Sequence, residues 1–348
     1  MSVIGPRIKQ ARLRQRMSQR DLAEQSGVSA TAISKYERGL MKPNSDVLLK
    51  VAAALDVDLS FFLRPQRVKE IQPAYRKLQR LGKKSEYQLI ERIRDWLERY
   101  LEAEEIVEPM PTTFNMPEGF PFGVEAIAQA EEAADLLRKV WELGIDPIED
   151  LTAVLEKRGI RVGVIQADED FDACTFRTSI NGAAPVIITR EGVPGDRQRF
   201  SLAHEVGHLL LKVSEDLDDE KVCDRFAGAL LAPGEAILHD SGKQRRNITV
   251  EELLLLKHTY GISMRALTYR FRDLGITSEY AHTEAQRQFA RYGWIKKEPG
   301  EQVEPEPPQR LRMLVLRALG EKLISERRAR ELYGGVIATQ QENLTTTF

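Results

Sequence analysis

The sequence predicts a multidomain protein: an all-α helix-turn-helix domain, then an α+β domain, then a small helical C-terminal region. Three observations lead to this prediction. Residues 4–63 have the pattern of five short helices separated by glycines and capping residues. Strand-like segments between residues 159 and 190 lead into an apolar helical segment that contains His204-Glu205-Val206-Gly207-His208. Beyond residue 310 the apolar residues recur at helical spacing again.

The composition is that of an ordinary intracellular globular protein. The chain has 348 residues, of which 42% are hydrophobic and 30% are charged. Two cysteines, Cys174 and Cys223, are too few for a disulfide framework and fit a reducing compartment. The first 17 residues lack the apolar stretch of a signal peptide, and no apolar run reaches the roughly 20 residues that span a bilayer. We therefore expect a cytoplasmic protein that has no membrane partner and is not a secreted protease.

The net charge is small but unevenly distributed. Residues 1–64 hold 11 Lys and Arg against 6 Asp and Glu, a charge of +5, whereas the whole chain carries −2. A basic N-terminal module in an otherwise acidic chain predicts an anionic partner for that module.

The N-terminal module follows the pattern of helix, turn and helix. A first helix is predicted over residues 5–16. Ser18 and Ser29 are predicted to cap the next two helices, because a serine hydroxyl accepts the unpaired N–H groups of a first turn. Gly27 supplies the turn between these helices. Two further helices are predicted to begin at Ser45 and Asp58.

The stretch from Met17 to Pro43 resembles the lambda-repressor-like (XRE/Cro-type) family pattern M-S-Q-x-x-L-A-x-x-S-G-V-S-x-x-x-I-S-K-Y-E-R-G-x-x-x-P. The resemblance implies a homodimer that binds a double-stranded DNA operator with its third helix in the major groove. It also implies three groups of contacts: Ala30, Thr31 and Lys35 to base edges, Gln19 and Ser34 near phosphates, and Arg38, Lys42 and Asn44 to the backbone. The alternative is a helical interaction module that does not bind DNA.

The segment His204 to His208 has the form H-E-x-x-H. Residues four apart share a helix face, so His204 and His208 can direct ring nitrogens at one metal ion. Glu205 lies beside them, where it can take a proton from a water on the metal. The alternative is a chance match on an ordinary core helix.

A second amphipathic helix is predicted from Glu220 to Leu231. Glu220 is the predicted third ligand, and Asp224, one turn later, is predicted to accept the second ring N–H of a ligand histidine. Cys223 is a soft ligand, which leaves a His-His-Cys site as an alternative. The neighbouring acidic residues are interpreted as a solvated connecting loop: Glu215, Asp216, Asp218 and Asp219.

Both stretches resemble the ImmA/IrrE metallopeptidase family, which is related to the glutamate-ligand zincins (gluzincins). The lead-in from Arg197 resembles R-F-(S/T)-L-A-H-E, and residues 220–233 resemble E-x-x-A-N-x-F-A-x-x-L-L-M-P. The resemblance implies a zincin-like metallopeptidase domain that binds zinc, with manganese as the other possible metal. It assigns the metal ligands and the general base to His204, His208, Glu220 and Glu205.

Two departures of this chain from the family pattern matter for the site. Cys223 stands where the family has alanine, and Asp224 stands where it has asparagine. Neither departure falls on a predicted ligand, and an aspartate at position 224 can still hold a histidine.

The chain is predicted to divide into five segments. They are the helix-turn-helix domain (1–64), a helical linker or dimerisation segment (65–122), the metallopeptidase domain (123–295), a flexible linker (296–309), and a C-terminal helical hairpin with a disordered tail (310–348).

Within these segments the sequence leaves open how one apolar stripe packs. An apolar stripe between Leu89 and Leu101 is predicted either to pack on the catalytic domain or to form a dimer seam.

One long helix is predicted over residues 124–143, and Asn181-Gly182 is predicted to form the turn of a β-hairpin. For the oxyanion of a peptidase reaction the sequence offers four candidates without choosing among them: His258, Tyr260, Arg265 and Tyr269.

The motifs together predict a DNA-binding regulator fused to a zinc-dependent endopeptidase. The family resemblance implies limited proteolysis of a regulatory protein, often a repressor, in a stress or mobile-element response. The alternative functions are a metal-sensing regulator without turnover and an antitoxin-like autorepressor. An intact Glu205 favours the enzyme, because a metal sensor needs no general base.

Overall fold

A computed structural model shows a helical N-terminal region, followed along the chain by a mixed α/β domain with small sheets and a helical C-terminal part. It describes residues 3–64, 67–68, 71, 82–107, 113–177 and 184–334. Within these ranges, no helix is both long enough and apolar enough to cross a membrane. The chain divides into two units: one takes residues 1–111, 167–171 and 310–348, and the other takes residues 112–166 and 172–309.

Five short helices form the N-terminal module of the first unit: α1 (Ile4–Arg14), α2 (Gln19–Ser26), α3 (Ala30–Glu37), α4 (Ser45–Ala54) and α5 (Leu59–Leu63). The predicted caps at Ser18 and Ser29 are confirmed, and Ser18 also forms a capping box with Asp21. Asp58, predicted as the first residue of the fifth helix, is the N-cap of α5. Gly27 ends α2 with a φ of 67°, a left-handed conformation that glycine adopts without strain. One apolar cluster lies inside the five helices, with Ile8, Leu22 and Ile33 fully buried.

The first unit also contains a 25-residue helix, α6 (Lys83–Val107). One face of α6 packs against α1 of the N-terminal module. The C-terminal helices of the same unit also pack on α6, and the apolar stripe is buried, with Ile93, Leu97, Tyr100 and Leu101 at 0% exposure. The stripe thus belongs to a helix that packs on other helices of the first unit.

The second unit begins with β1 (Phe122–Val124), α7 (Gln129–Val140), α8 (Leu151–Lys157), β2 (Arg161–Ile165), β3 (Ala173–Arg177) and β4 (Pro185–Arg190). The helix predicted over residues 124–143 is shorter than expected, because Val124 is a strand residue that pairs with Val213. The side chain of Gln129 accepts the N–H groups of Glu125 and Ala126 and so marks the true start of α7.

Two small sheets organise this unit. β2 is parallel to β4, and β3 is antiparallel to β4, so the strand order is β2-β4-β3. The antiparallel β3–β4 pair is the one predicted from the sequence, although its Asn181-Gly182 turn lies outside the described residues. β1 pairs in parallel with β5 (Leu211–Val213).

Helices provide most of the rest of this unit: α9 (Gly195–Leu210), α10 (Asp219–Leu231), α11 (Gly234–Ser241), α12 (Val250–Tyr260), α13 (Met264–Asp273) and α14 (Glu279–Tyr292). One apolar core joins α7, α9, α10, α12 and α13, with Leu202, Val206, Phe226 and Leu267 fully buried. Residues 296–309 then follow, and they differ from the flexible linker predicted for them, because buried side chains hydrogen-bond this segment.

The predicted C-terminal hairpin is present as α15 (Arg310–Gly320) and α16 (Glu326–Tyr333). Both helices pack on α6 and therefore belong to the first unit. Two ion pairs connect the hairpin to the N-terminal half of that unit, Arg64 with Glu331 and Arg328 with Glu102. The first unit is thus built from chain segments that precede and follow most of the second unit in the sequence.

Candidate functional site

Helices α9 and α10 together carry the predicted metal ligands. They pack closely because Gly207 has no side chain: a Cβ there would lie 3.1 Å from the Sγ of Cys223 and 3.3 Å from the ring of Phe226. This approach of the two helices brings Glu220, in the first turn of α10, next to His204 and His208 on α9. Gly207, inside the motif, is therefore needed for α9 and α10 to pack this closely.

Possible ligand atoms of these three residues lie close together. The Nε2 atoms of His204 and His208 lie 3.1 Å apart. Glu220 approaches the two rings with different oxygens: Oε2 lies 3.4 Å from Nε2 of His204, and Oε1 lies 3.3 Å from Nε2 of His208. Ligands at the corners of a tetrahedron about 2.0–2.1 Å from zinc are separated by about 3.3–3.4 Å. The spacing of these atoms therefore fits a tetrahedral metal ion.

Two aspartates hold the other sides of the histidine rings. Nδ1 of His204 lies 2.7 Å from Oδ1 of Asp224, as predicted. Nδ1 of His208 lies 3.0 Å from Oδ2 of Asp219. An ionised carboxylate only accepts hydrogen bonds, so each Nδ1 carries the proton and each Nε2 presents its lone pair. A cation held between these two nitrogens and the carboxylate would offset the repulsion of their lone pairs, and a donor set of nitrogen and oxygen atoms suits zinc.

Asp219 is the residue that the sequence interpretation missed. It was assigned to a solvated loop because α10 was expected to begin at Glu220, whereas α10 begins at Asp219 and is capped by Asp218. Aspartate is a favoured N-cap residue, and an N-cap at Asp218 places Asp219 in the first turn.

The alternative ligand Cys223 also lies near this site. Its buried Sγ is 3.5 Å from Nδ1 of His208, on the side of the ring that faces Asp219. His208, Asp219 and Cys223 form a second group that could hold a metal ion. Only the group of His204, His208 and Glu220 uses both motif histidines, however, so it fits the H-E-x-x-H pattern better.

Glu205 is 1% exposed and lies on α9 between the two motif histidines. The hydroxyl of Thr175 on β3 donates to the backbone carbonyl of Glu205 at 3.5 Å. β3 therefore runs beside the motif, and among the described strands its only partner is β4.

The oxyanion candidates make contacts with other groups. Tyr260 donates to Asp240 at 2.7 Å, and burial together with that bond raises the pKa of Tyr260 well above its usual value. Arg265 donates to Gln286, and Tyr269 packs edge-on against His282. These contacts do not select one of the candidates.

The predicted DNA contacts lie on and around α3. Thr31 and Lys35 are exposed and one turn apart on α3, beside the partly buried Ala30 and Ser34. Three of the other residues make local bonds as well: Gln19 donates to Glu37, Arg38 donates to the carbonyl of Ser34, and Asn44 caps α4. Lys42 is exposed after α3. Their roles at DNA stay predictions.

Glu37 is a further residue whose role the sequence did not indicate. Its carboxylate accepts from Arg12 at 2.6 Å and from Gln19 at 2.8 Å. This buried network fixes the first residue of α2 against the end of α3, which orients the helix pair that the family resemblance assigns to DNA.

Comparison with known proteins identifies two family domains. A helix-turn-helix family matches residues 8–62, and the IrrE N-terminal-like domain of the M78 peptidases matches residues 155–272. The chain carries a helix-turn-helix domain and an IrrE N-terminal-like domain. The second match spans β3, the H-E-x-x-H helix α9 and the ligand helix α10, so the IrrE N-terminal-like domain contains the whole candidate metal centre.

Curated relatives match shorter stretches. An uncharacterized HTH-type transcriptional regulator, y4dL of Sinorhizobium fredii, is 40% identical over 75 residues, which is 22% of this chain and 36% of that protein. Another, MT0491 of Mycobacterium tuberculosis, is 49% identical over 53 residues, which is 15% of this chain and 38% of that protein. The chain thus covers little more than a third of the length of these relatives.

Proposed function

We propose that the chain is a DNA-binding transcriptional regulator whose IrrE N-terminal-like domain is a zinc-dependent endopeptidase. Its substrate is a repressor or another regulatory protein. One observation carries the proposal: Nε2 of His204, Nε2 of His208 and the carboxylate of Glu220 converge within 3.1–3.4 Å of one another. A buried Glu205 beside this triangle completes the set of groups that metal-assisted peptide hydrolysis requires.

Each side chain has a distinct part in this reaction. His204, His208 and Glu220 hold the metal, and Asp224 and Asp219 keep the two rings in the tautomer that offers Nε2. Zinc, when bound, lowers the pKa of water toward neutrality and polarises the scissile carbonyl. Glu205 accepts the proton of the attacking water and passes it to the leaving amine. The substrate backbone forms β-sheet hydrogen bonds with the edge of β3 that does not pair with β4.

The first experiment separates metal binding from turnover. We expect about one zinc per wild-type chain by elemental mass spectrometry, none in Glu220→Ala, and about one in Glu205→Gln. Cleavage of a co-expressed candidate repressor should occur with wild type and fall at least 100-fold with Glu205→Gln, because that variant keeps the metal but lacks the base. Repeating the assay with manganese identifies the active metal.

Equal cleavage by wild type and Glu205→Gln would refute the peptidase assignment. A chain that binds zinc, cleaves nothing and changes its operator affinity when zinc is removed would instead be a metal-sensing regulator.

The DNA-binding part of the proposal rests on the helix-turn-helix match and on the exposed face of α3. A homodimer on two half-sites is the expected complex. We expect Lys35→Ala to weaken binding to a selected operator duplex about tenfold, and Lys50→Ala, which removes an exposed lysine of α4, to have less than a twofold effect. Equal affinities for the two variants in a fluorescence-anisotropy titration would contradict the assignment of α3.

A further inference from the structure

Residues 298–306, which we call the strap, follow α14 and lie outside the residues that match the IrrE N-terminal-like domain. The backbone of the strap rests directly on the first residue of α9. Gly195 N donates to the carbonyl of Val303 at 2.7 Å, and a Cβ on Gly195 would lie 2.0 Å from the carbonyl oxygen of Glu304. Only glycine at position 195 allows the strap to approach the helix this closely.

Glu306 connects the strap to the second turn of α9. Its buried carboxylate accepts from Arg199, and its backbone exchanges two hydrogen bonds with the amide of Gln198, at 2.7 and 3.0 Å. The same carboxylate accepts Thr152 N at 2.9 Å, so it also anchors the start of α8. Charged hydrogen bonds between buried partners of this kind are strong and directional.

Lys257 makes a second connection at the other end of the strap. This lysine is fully buried, and its Nζ lies 3.0 Å from Asp196 on α9 and 3.0 Å from Glu298 in the strap. Burial lowers its pKa, but the bonds to Glu298 and Asp196 outweigh that effect and hold the pKa of Lys257 above its usual value. Glu298 also accepts the N–H groups of Met264 and Arg265 and so caps α13.

These contacts hold four of the first five residues of α9: Gly195, Asp196, Gln198 and Arg199. The metal ligands begin at His204, about 13 Å further along the same helix at 1.5 Å per residue. A helix moves as a rigid rod, so an axial shift at its first turn displaces both histidines relative to Glu220, which lies on another helix. Metal sites tolerate ligand displacements of only about 0.2 Å.

We propose that the strap is a positioning element of the metal centre, with Glu306 and Gln198 as its positioning residues. The inference rests on the proposed function and adds a segment beyond the matched domain. The strap fixes the axial position of α9 and so sets the distance between the two histidines and Glu220. Zinc affinity, rather than stability alone, therefore depends on it.

The test compares Glu306→Gln with Glu252→Gln in the full chain. Glu252, on α12, binds Arg245 through both oxygens at 2.7 and 2.9 Å, so the control also removes a carboxylate from an arginine pair. The measurements are the zinc Kd, by competition with a chromogenic chelator, and the thermal midpoint of the metal-free proteins. We expect Glu306→Gln to weaken zinc binding at least tenfold, and Glu252→Gln to lower the midpoint while changing the zinc Kd less than twofold.

Gln198→Ala keeps the test decisive if Glu306→Gln does not fold, because it removes only two neutral hydrogen bonds. We expect a several-fold weaker zinc Kd for this variant. Wild-type zinc affinity in the folded variants would overturn the role of the strap while leaving the peptidase proposal intact. A wild-type chain that binds no zinc would overturn the proposed function itself, and the strap inference with it.

Discussion

Each motif histidine is held by its own aspartate, on opposite sides of the Glu220 carboxylate. Asp224 lies 2.7 Å from Nδ1 of His204, and Asp219 lies 3.0 Å from Nδ1 of His208. Both aspartates come from α10, so a single helix supplies the third ligand and the groups that orient the other two. The two rings are thus set before any metal enters.

We expect Asp219→Ala and Asp224→Ala each to weaken zinc binding 10- to 100-fold, because the freed ring can then turn or change tautomer. Asp216→Ala is the control, since it removes an exposed carboxylate from the loop before α10. Chelator competition measures all three variants. An Asp219→Ala protein with wild-type affinity would mean that the contact with His208 has no part in metal binding.

The sequence identified Asp224 but not Asp219, for a physical reason. Asp224 lies four residues after Glu220, and helical spacing alone puts the two on one face. Asp219 becomes a partner of His208 only if α10 begins one residue earlier and approaches α9 closely at Gly207. Helix ends and helix-to-helix distances depend on caps and packing, which a spacing pattern does not encode.

At the scale of elements, the contact between α9 and α10 depends on Gly207. A Cβ there meets Sγ of Cys223 at 3.1 Å, closer than side chains normally pack. We expect Gly207→Ala to lower the free energy of unfolding by about 1–3 kcal/mol, since the helices must move apart. The double variant with Cys223→Ala should recover part of the loss, because it removes the nearest atom. Urea unfolding of the four proteins measures the coupling, and strictly additive effects would contradict this packing explanation.

The pH dependence of stability provides a second test at the scale of elements, at Glu91 on helix α6. Burial raises the pKa of Glu91 above its usual value of 4.5, although the charge of Arg94 opposes the shift. The folded state therefore binds a proton at Glu91 more readily than the unfolded state does. This contribution to stability is full below the usual pKa and is lost as pH rises through the folded-state value.

We therefore expect Glu91→Gln to have a higher thermal midpoint than wild type at pH 7, because glutamine fills the same space without a buried charge. The difference should shrink as the pH falls toward 4.5, where Glu91 itself becomes neutral. Thermal scans at both pH values check this, and a gap that does not vary with pH would contradict the role assigned to burial.

At the scale of the whole molecule, the first unit is held together by buried ion pairs between distant parts of the chain. Arg7 of α1 pairs with Glu98 of α6, and both side chains are buried. Removing one partner leaves an uncompensated charge in the interior. We expect Glu98→Ala to cost about 3–5 kcal/mol of unfolding free energy in denaturant titrations.

The control for this variant is Glu321→Ala. Glu321 pairs with Arg317 on the surface of α15 in the same unit, and a loss of no more than about 0.5 kcal/mol is expected there. Similar losses for the two variants would contradict a special role for the buried pair.

The two-unit organisation was only partly predictable from the sequence. Periodicity found α6 and the C-terminal hairpin, because each repeats apolar residues at helical spacing. It did not find what they pack against, since the stripe at Ile93 and Leu97 fits any apolar surface of the right shape. The bonds from Glu306 to α9 were hidden too, because residues 296–309 read as a charged, proline-containing linker.

The path of the chain has a consequence for its synthesis. The ribosome completes the whole of residues 112–309 before it makes the hairpin that covers α6. During that interval the emerging chain still lacks the hairpin that packs on α6, so chaperones that bind exposed apolar segments have a target at the uncovered part of α6. A messenger RNA that ends after codon 309 would give a chain in which this part of α6 stays uncovered, and we expect proteases to degrade that chain.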